Sequence, residues 1–465
     1  MTEMKKTVLF AGVAVLLVVI AYLTAPVSRT PDAFFDVGEE FFPDFVDPNE
    51  ALTLEVIDFD AQSGSAKPFK VEFKDGLWRI PSHYYYPADA KDRLAKTAAG
   101  VIGIRKDDFR TDNVADHESC GVVDPLDETA LTLKGRGKRV TLKGKNDKVL
   151  ADFIIGQQVE GATGYRFVRV PGQKRVYAVK MDIDLSTRFN DWIETDLLKV
   201  DKEAITRLVL HDYSIDENTK AMLQRDVLTL NKSGAAWAAE KMAPDQEVDT
   251  ARMNELLTAL DELTIVDVRK KPAGLSQGLG KLTGNLTISQ ADGLSLQSKG
   301  YYFGSNGQLL SNEGELNCAT RDGVRYILRF GEVVSDSTLE AEGSGEGEEQ
   351  GTPGENRYLF ITTEFDAARF PEPDKPVGLT FQDKEAADWT EEDHENKRLH
   401  DAHTAWQQQV DSGKKLSSDL NRRFSDWYYV ISSTSFDKLN LSRTDLVKQK
   451  ENEEEQDTAA PVSSR

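Results

Sequence analysis

Two histidines three residues apart are the first candidates for chemistry in this chain. His400 and His403 lie in a polar segment with helical character, so they would face the same side, close to Asp401 or Glu395 as further metal ligands. The His-Glu-x-x-His spacing of zinc hydrolases is absent, however. We therefore favour the interpretation of a solvated polar helix and predict no metal ligands here.

The glycines of 274–283 resemble a phosphate-binding loop only in part. Leu282 follows Gly280-Lys281 where that loop needs Ser or Thr to bind magnesium, and Gly274 stands one residue too early. We therefore predict no catalytic, cofactor-binding or metal-binding residues, no cofactor and no enzymatic activity.

Aromatic residues offer a different kind of candidate. Four tryptophans can be ligand platforms or can fill equivalent core positions, and we predict core positions for Trp78, Trp192, Trp237 and Trp427. Tyr84-Tyr85-Tyr86 stands just before a predicted helix. That run can be half-buried, or it can form an exposed patch for a partner.

A repeated segment would position these residues. An offset of 159 residues superimposes Trp78–Arg110 on Trp237–Arg269, tryptophan on tryptophan and arginine on arginine. The apolar positions agree as well, and a shorter echo joins 188–192 to 423–427. Such ungapped agreement predicts a duplicated domain, with a first copy at 52–200 and a second at 205–445.

Each copy combines strand and helix patterns. Alternating apolar residues near the start of each copy indicate strands, and further short strands are separated by turn-forming residues. One segment per copy carries a helical stripe, formed by Leu94, Ala98, Val101 and Ile104 in the first and by Met253, Leu256, Leu257, Leu260 and Leu263 in the second. The predicted fold class is α+β, in which each repeated unit is a mainly antiparallel sheet with one principal helix.

The second copy carries two insertions. Residues 335–356 are rich in Gly, Glu and Ser and predict a mobile acidic loop, whereas 384–410 predict a polar helix. We hypothesise that a partner docks on this helix at Trp406. A linker at 27–50 and a disordered acidic tail at 448–465 complete the organisation.

The N-terminus predicts a membrane anchor. Residues 1–6 form a short cytoplasmic region ending in Lys5-Lys6, and 7–25 carry no charge. These nineteen residues span roughly 28 Å as a helix, close to the ~30 Å hydrocarbon core. A cleaved signal peptide is the alternative, but the apolar stretch is long and no Ala-x-Ala site follows. Lysines before the span predict a single pass in the bacterial inner membrane with the bulk on the periplasmic side.

The overall charge argues against nucleic-acid binding. The chain of 465 residues has a formal net charge of −22 and no basic stripe, so most of its surface repels a polyanion. Cys120 and Cys318 are too few for a disulfide framework or a zinc site. One bridge between them and two buried free thiols both remain open.

Several strings resemble the domain-of-unknown-function 4340 family. They are Trp78-Arg79-Ile80-Pro81, Pro87-Ala88-Asp89, Cys120-Gly121-Val122-Val123-Asp124-Pro125, and Tyr165–Arg169 leading into Arg175–Val179. The resemblance covers about 52–200 and, more loosely, the second copy. It implies an outward-facing, single-span envelope protein, of a kind often associated with ABC export systems of the gliding-motility type. The family assigns no catalytic residues.

We therefore expect a non-enzymatic, membrane-anchored scaffold or auxiliary subunit of an envelope complex, such as an ABC-type transport system, with a protein partner. The alternative is an extracytoplasmic hydrolase or a binding protein for an envelope ligand. An acid, a base and a nucleophile in one pocket would favour the alternative. An exposed edge strand would favour the scaffold.

Overall fold

The computed structural model describes residues 13–20, 36–130, 132–216, 219, 221–276, 289–304, 307–334 and 355–450. The chain divides into two compact units. Unit one is Met1–Trp78 with Ala90–Ser186, and unit two is Arg79–Asp89 with Thr187–Arg465. This division differs from the predicted copies, because Arg79–Asp89 lies in unit two although it falls within the first copy.

Unit one is built on an antiparallel sheet. Its strands are β1 (Thr53–Asp60), β2 (Ser65–Lys74), β3 (Leu77–Ile80, of which the first two residues belong to this unit), β5 (Asp108–Thr111), β6 (Lys138–Lys143), β7 (Val149–Gln158), β8 (Tyr165–Arg169) and β9 (Val176–Lys180). Their order is β3-β2-β1-β6-β7-β8-β9-β5. Short turns join most neighbours in this order, as expected for an antiparallel meander.

Two helices accompany this sheet. Helix α1 is Lys91–Val101 and α2 is His117–Cys120. The predicted stripe is buried, with Leu94, Ala98 and Val101 each at most 1% exposed. Residues 36–50, predicted as a linker, are also part of this unit's packing, since Asp36 and Phe45 are buried.

Unit two contains a second antiparallel sheet and two small ribbons. Its strands are β4 (Tyr86–Pro87), β10 (Ile205–Ile215), β11 (Met222–Ser233), β12 (Ala236–Ala239), β13 (Gln246–Val248), β14 (Asp267–Lys270), β15 (Tyr301–Phe303), β16 (Leu309–Ser311), β17 (Glu315–Thr320), β18 (Val324–Val333), β19 (Arg357–Phe365), β20 (Trp427–Ile431) and β21 (Val447–Gln449). The large sheet has the order β12-β11-β10-β17-β18-β19-β20-β14. The ribbons pair β13 with β21 and β15 with β16.

The helices of unit two cover both faces of its sheet. They are α3 (Thr250–Asp261), α4 (Gln290–Gln297), α5 (Glu391–Phe424), α6 (Ser433–Leu439) and α7 (Arg443–Leu446). Side chains alternate along β19, so Phe360 packs with Leu296 of α4, whereas Thr363 hydrogen-bonds Asn421 of α5. Asp249 caps α3, as its position before the apolar stripe suggests.

The two sheets have the same strand order, element for element. The 159-residue offset maps β3 on β12, α1 on all but the last residue of α3, and β5 on β14. Trp78 and Trp237 therefore occupy the same place in equivalent strands, but both are half-buried rather than core residues. The shorter echo is not equivalent, because Trp192 ends a 3-10 turn while Trp427 begins β20.

The structure corrects the bounds of three predicted segments. The inserted helix is longer than 384–410, since α5 begins at Glu391 and continues to Phe424. The tail predicted from 448 begins with residues of β21, and 451–465 lie outside the described residues. Most of the acidic loop, 335–354, also lies outside them.

The predicted membrane anchor is described only at 13–20, which are helical with exposed side chains. Within the parts of the chain that the structure describes, no helix is both long and apolar enough to cross a membrane. The rest of the predicted anchor, 7–12 and 21–25, is not among them.

Candidate functional site

A polar cleft of about 750 Å³ opens on one face of the unit-one sheet. The segment that follows β5 forms one wall, and strands β6 and β8 form the floor. Its lining residues are Val114, Ala115, His117, Glu118, Val123, Asp124, Leu126, Asp127, Thr129, Ala130, Thr132, Arg139, Arg169, Gly172, Gln173 and Lys174. This volume is within the range of small-molecule sites.

Strand register brings two arginines to the floor of the cleft. Arg139 of β6 and Arg169 of β8 both pair with Ile154 of β7, so the three side chains lie in one row across the sheet. Adjacent strands are about 4.8 Å apart, which places the two arginine backbones roughly 10 Å from each other.

The two arginines have different environments. Arg139 donates from Nε and Nη2 to the Asp152 carboxylate at 3.0 and 2.7 Å, and from Nη1 to Asp124 at 3.2 Å. The hydrogen bonds to Asp152 raise the pKa of Arg139. Arg169 is only 6% exposed and donates instead to two backbone carbonyls, those of Val122 and Gln173, at 2.9 and 3.0 Å.

Arg169 is a buried cation without a close counter-ion. Burial lowers the pKa of Arg169 below its ordinary value, although the charges of Asp124 and Asp127 act to raise it, and no carboxylate of the described residues forms an ion pair with it. Its third nitrogen, Nη2, has no hydrogen-bond partner within the same part of the chain. Because desolvation of an unpaired charge is costly, this arrangement is typical of a site that awaits an anion.

A third arginine holds the wall of the cleft in place. The Arg136 guanidinium donates to the backbone carbonyls of Asp124, Pro125, Asp127, Ala130 and Thr132 at 3.0–3.3 Å. It also lies 4.5 Å from the centre of the Phe59 ring. These bonds order a loop that has little regular secondary structure of its own.

Close backbone packing fixes the other side of this wall. A Cβ on Gly156 of β7 would lie 2.3 Å from the Cys120 carbonyl oxygen, so only glycine fits there. Cys120 and Val122 pack with Ile154 and Phe167 in a small apolar cluster beneath the wall.

The rim of the cleft carries both signs of charge. Glu118 and Lys174 are exposed, and Nε2 of the buried His117 donates to the Lys174 carbonyl at 2.8 Å. The Thr129 hydroxyl donates to Asp127 at 2.6 Å, but it is exposed to solvent. Among the lining residues, no histidine hydrogen-bonds a hydroxyl or a thiol, so the nucleophile–base pair of a hydrolase is not formed by this part of the chain.

One feature of the sequence indicates this site, although no catalytic or binding motif includes it. In Tyr165-Arg166-Phe167-Val168-Arg169 the alternation puts Arg169 on the same face as Phe167, which packs in the apolar cluster. An arginine at a buried position of an alternating strand is unusual and points to a function.

The aromatic candidates separate into buried and exposed residues. Trp192 and Trp427 are core residues, at 0% and 6% exposed, as predicted. In the tyrosine run, Tyr86 is buried against the Trp427 ring at 5.0 Å, whereas Tyr84 and Tyr85 are exposed and have left-handed backbones. The run is therefore buried at Tyr86 and exposed at Tyr84 and Tyr85, and a partner that contacts the exposed part stays a prediction.

The histidines of α5 serve packing contacts. His403 Nε2 lies 3.0 Å from the Glu372 carboxylate, and His400 packs edge-on against Phe381 at 5.5 Å. Across the described residues, no group of three or more metal-ligand side chains is found. Trp406 is half-buried and donates its indole N–H to the Phe370 carbonyl at 2.9 Å, so it is already engaged within the chain.

Cys120 and Cys318 are free and buried. Burial raises the pKa of the Cys318 thiol to about 12, so neither bridge formation nor nucleophilic chemistry is favoured at that residue.

The segment 274–278 also contains a serine pattern. Gly274-Leu275-Ser276-Gln277-Gly278 has the spacing of a nucleophile elbow. The Ser276 amide donates to the Pro272 carbonyl in a helical turn, and Ser276 has no left-handed backbone. The sharp strand-to-helix turn that exposes such a serine is therefore absent at this residue, and Gln277 and Gly278 are not described.

Unit two contains a lysine that is buried against aromatic side chains. Lys271 is 2% exposed, and its Nζ lies 3.8 Å from the centre of the Phe360 ring and 3.1 Å from the Phe424 carbonyl oxygen. Burial holds its pKa well below 10.5, despite the nearby Asp426 charge. The folded state thus disfavours the ammonium form.

We expect Lys271→Met to stabilise the protein by about 2 kcal/mol at pH 7, because desolvation of the ammonium outweighs one lost hydrogen bond. The folded pKa is depressed, so the unfolded chain binds more protons and wild-type stability rises as pH approaches 10.5. The advantage of methionine should therefore shrink over that interval. Urea unfolding at pH 7 and pH 10 measures it.

The adjacent exposed lysine provides the control, since Lys270→Met removes the same charge next to the buried one. Its effect should be small at both pH values. A Lys271→Met variant that is less stable than wild type by the same amount at both pH values would contradict the interpretation.

The described sheets and helices define an α+β protein with mainly antiparallel sheets. Residues 78–278 match the family model of the domain of unknown function DUF4340, which confirms the resemblance found in the sequence. The match starts at Trp78 rather than near Leu52, extends into unit two, and includes every residue that lines the cleft. No curated protein and no solved structure matches the chain.

Proposed function

We propose that the protein is a non-enzymatic scaffold or auxiliary subunit of an envelope complex, and that this complex is an ABC-type transport system. In this proposal the uncharged segment 7–25 anchors the chain in the bacterial inner membrane, with the bulk on the periplasmic side. The sequence supports the anchor through its length and flanking charges.

The observation that carries this proposal is the edge strand of the unit-two sheet. Strand β12 ends the strand order, and no other described strand pairs with its outer side. Its sequence is Ala-Trp-Ala-Ala, without the Lys or Pro that usually protects such an edge. Trp237 is half-buried and Ala238 is exposed. An extended segment of a partner protein can add to this edge as a further strand.

We further propose that the protein arose by duplication of one unit. The identical strand order of the two sheets and the 159-residue offset support this interpretation. Duplication would give the protein two related surfaces, which suits a scaffold better than a single active site does.

A charge placed on the edge should block the partner. We expect Ala238→Lys to reduce recovery of co-purifying proteins about tenfold, because a lysine at an edge strand opposes strand addition. The full-length protein would be purified by affinity from detergent-solubilised membranes, and its partners quantified by mass spectrometry. The free energy of unfolding should change by no more than about 0.5 kcal/mol, since Ala238 is exposed.

Ala235→Lys is the matched control, because Ala235 is exposed and lies in the turn before β12. This variant should recover the same proteins as wild type. Equal recovery by both lysine variants would exclude β12 as the docking edge. Failure of the wild-type protein to retain any protein partner would overturn the scaffold proposal itself.

The cleft in unit one favours a second candidate, a binding protein for an envelope ligand. Its buried, unpaired Arg169 is a specific feature that a scaffold does not require. The hydrolase form of this candidate has no such support among the residues that line the cleft.

A further inference from the structure

We propose that the unit-one cleft binds a small zwitterionic molecule of the amino-acid or short-peptide type, whose carboxylate pairs with Arg169. This ligand site lies apart from the β12 edge and does not depend on the scaffold proposal.

The first argument is the organisation of Arg169 before any ligand arrives. Two of its three nitrogens are held by the carbonyls of Val122 and Gln173, which fixes the plane of the guanidinium. Nη2 remains available to donate a hydrogen bond to a ligand oxygen. A guanidinium held in this way loses little conformational freedom on binding a carboxylate, and the charge-assisted bond is strong.

The second argument is the charge balance, which selects a carboxylate over a phosphate. The floor carries Arg139 with two carboxylates, Asp152 and Asp124, so this group has an excess of one negative charge. Arg169 restores neutrality on the floor. A singly charged carboxylate matches the one guanidinium that has no carboxylate partner. Asp124 and its neighbours repel any anion, and they repel a doubly charged phosphate about twice as strongly as a carboxylate.

The third argument concerns the opposite end of the ligand. Asp127 is half-exposed in the wall, and Glu118 is exposed on the rim. Hydrogen bonds from Thr129 lower the pKa of Asp127, which keeps this carboxylate charged. Carboxylates that line the same cleft as Arg169 suit an ammonium group on the same molecule. A cleft of about 750 Å³ accommodates a dipeptide.

The experiment titrates four probes into the full-length protein and follows binding by calorimetry. Alanyl-alanine carries both charges, its amide lacks the carboxylate, N-acetyl-alanyl-alanine lacks the ammonium, and inorganic phosphate is the competing oxyanion. We expect alanyl-alanine to bind most tightly. The amide should bind at least about tenfold more weakly, because it loses the charge-assisted bond to Arg169.

Variants locate the binding in the cleft. Arg169→Gln should weaken alanyl-alanine binding at least about tenfold, whereas Arg166→Gln should leave it unchanged. Arg166 is on the same strand and donates to the Gly156 carbonyl, outside the lining residues. Ala115→Trp keeps Arg169 and its bonds but fills the cleft from an exposed lining position, and it should also abolish binding. This variant decides the question if Arg169→Gln fails to fold.

Several results would overturn the proposal. They are no heat from alanyl-alanine at millimolar concentration, equal affinity for its amide, tighter binding of phosphate, or unchanged binding by both Arg169→Gln and Ala115→Trp. Loss of partner recovery by Ala238→Lys with unchanged peptide binding would show that the edge and the cleft act separately.

Discussion

Trp192→Ala is expected to lower the free energy of unfolding by about 3–5 kcal/mol, the usual cost of removing a large aromatic side chain from a core. Trp192 is fully buried at 0% exposed, and its backbone carbonyl accepts a hydrogen bond from the Asp89 amide at 2.8 Å. The alanine leaves a cavity that the surrounding side chains can fill only in part. Urea unfolding followed by circular dichroism measures the loss.

Trp237→Ala is the matched comparison, because Trp237 is half-buried on the edge strand β12. Folding removes less apolar surface from water at Trp237 than at Trp192. The free energy of unfolding should therefore fall by only about 1–2 kcal/mol. Equal costs for the two variants would contradict the assignment of Trp192 to the core and Trp237 to the edge.

Asp36→Asn is expected to lower the free energy of unfolding by about 3 kcal/mol at pH 7, because it removes one partner of a buried ion cluster. Asp36 is 5% exposed and accepts hydrogen bonds from the Tyr177 hydroxyl and from Arg175, the latter at 3.1 Å. The Lys106 Nζ lies 3.3 Å from the Asp36 carboxylate. The variant would leave these cations without their central carboxylate.

The pH dependence gives this prediction a second readout. Burial alone would raise the pKa of Asp36, but hydrogen bonds from Tyr177, Lys106 and Arg175 outweigh it and lower the pKa below 3.8. A depressed carboxyl pKa stabilises the fold above the unfolded value and loses this effect as pH falls through the folded pKa. The difference between wild type and Asp36→Asn should therefore be constant from pH 7 to pH 5 and shrink below pH 3.8.

Glu39→Gln serves as the control, since the Glu39 carboxylate also lies 3.3 Å from Lys106 but is 62% exposed. An exposed ion pair contributes little, so the change should be within about 0.5 kcal/mol. If Glu39→Gln and Asp36→Asn had equal effects, burial of Asp36 would not be what stabilises the N-terminal segment.

Local pattern was sufficient for the elements that the repeat contains. Periodicity placed the buried stripe of α1 at Leu94, Ala98 and Val101, and Asp249, whose side chain caps α3, directly precedes the segment with the second stripe. These features depend on neighbours within one or two turns of chain, which is the distance over which sequence patterns act. The α+β class follows from the same patterns.

Short patterns failed where two structures satisfy them equally. The five-residue echo ending in Trp192 and Trp427 fits a 3-10 turn in one place and the start of a strand in the other. Exposure at Trp78 and Trp237 was also misjudged, because an edge strand and a central strand look alike along the chain.

The sequence by itself determined the α+β class, the buried stripes of α1 and α3 and the family resemblance. Only the tertiary structure decided that Arg139, Ile154 and Arg169 stand in one row and that Arg136 orders the wall above them. The physical reason is register: neighbours across a sheet are set by strand pairing and turn lengths over many residues, and no local pattern records which charges will meet or which one will be left without a partner.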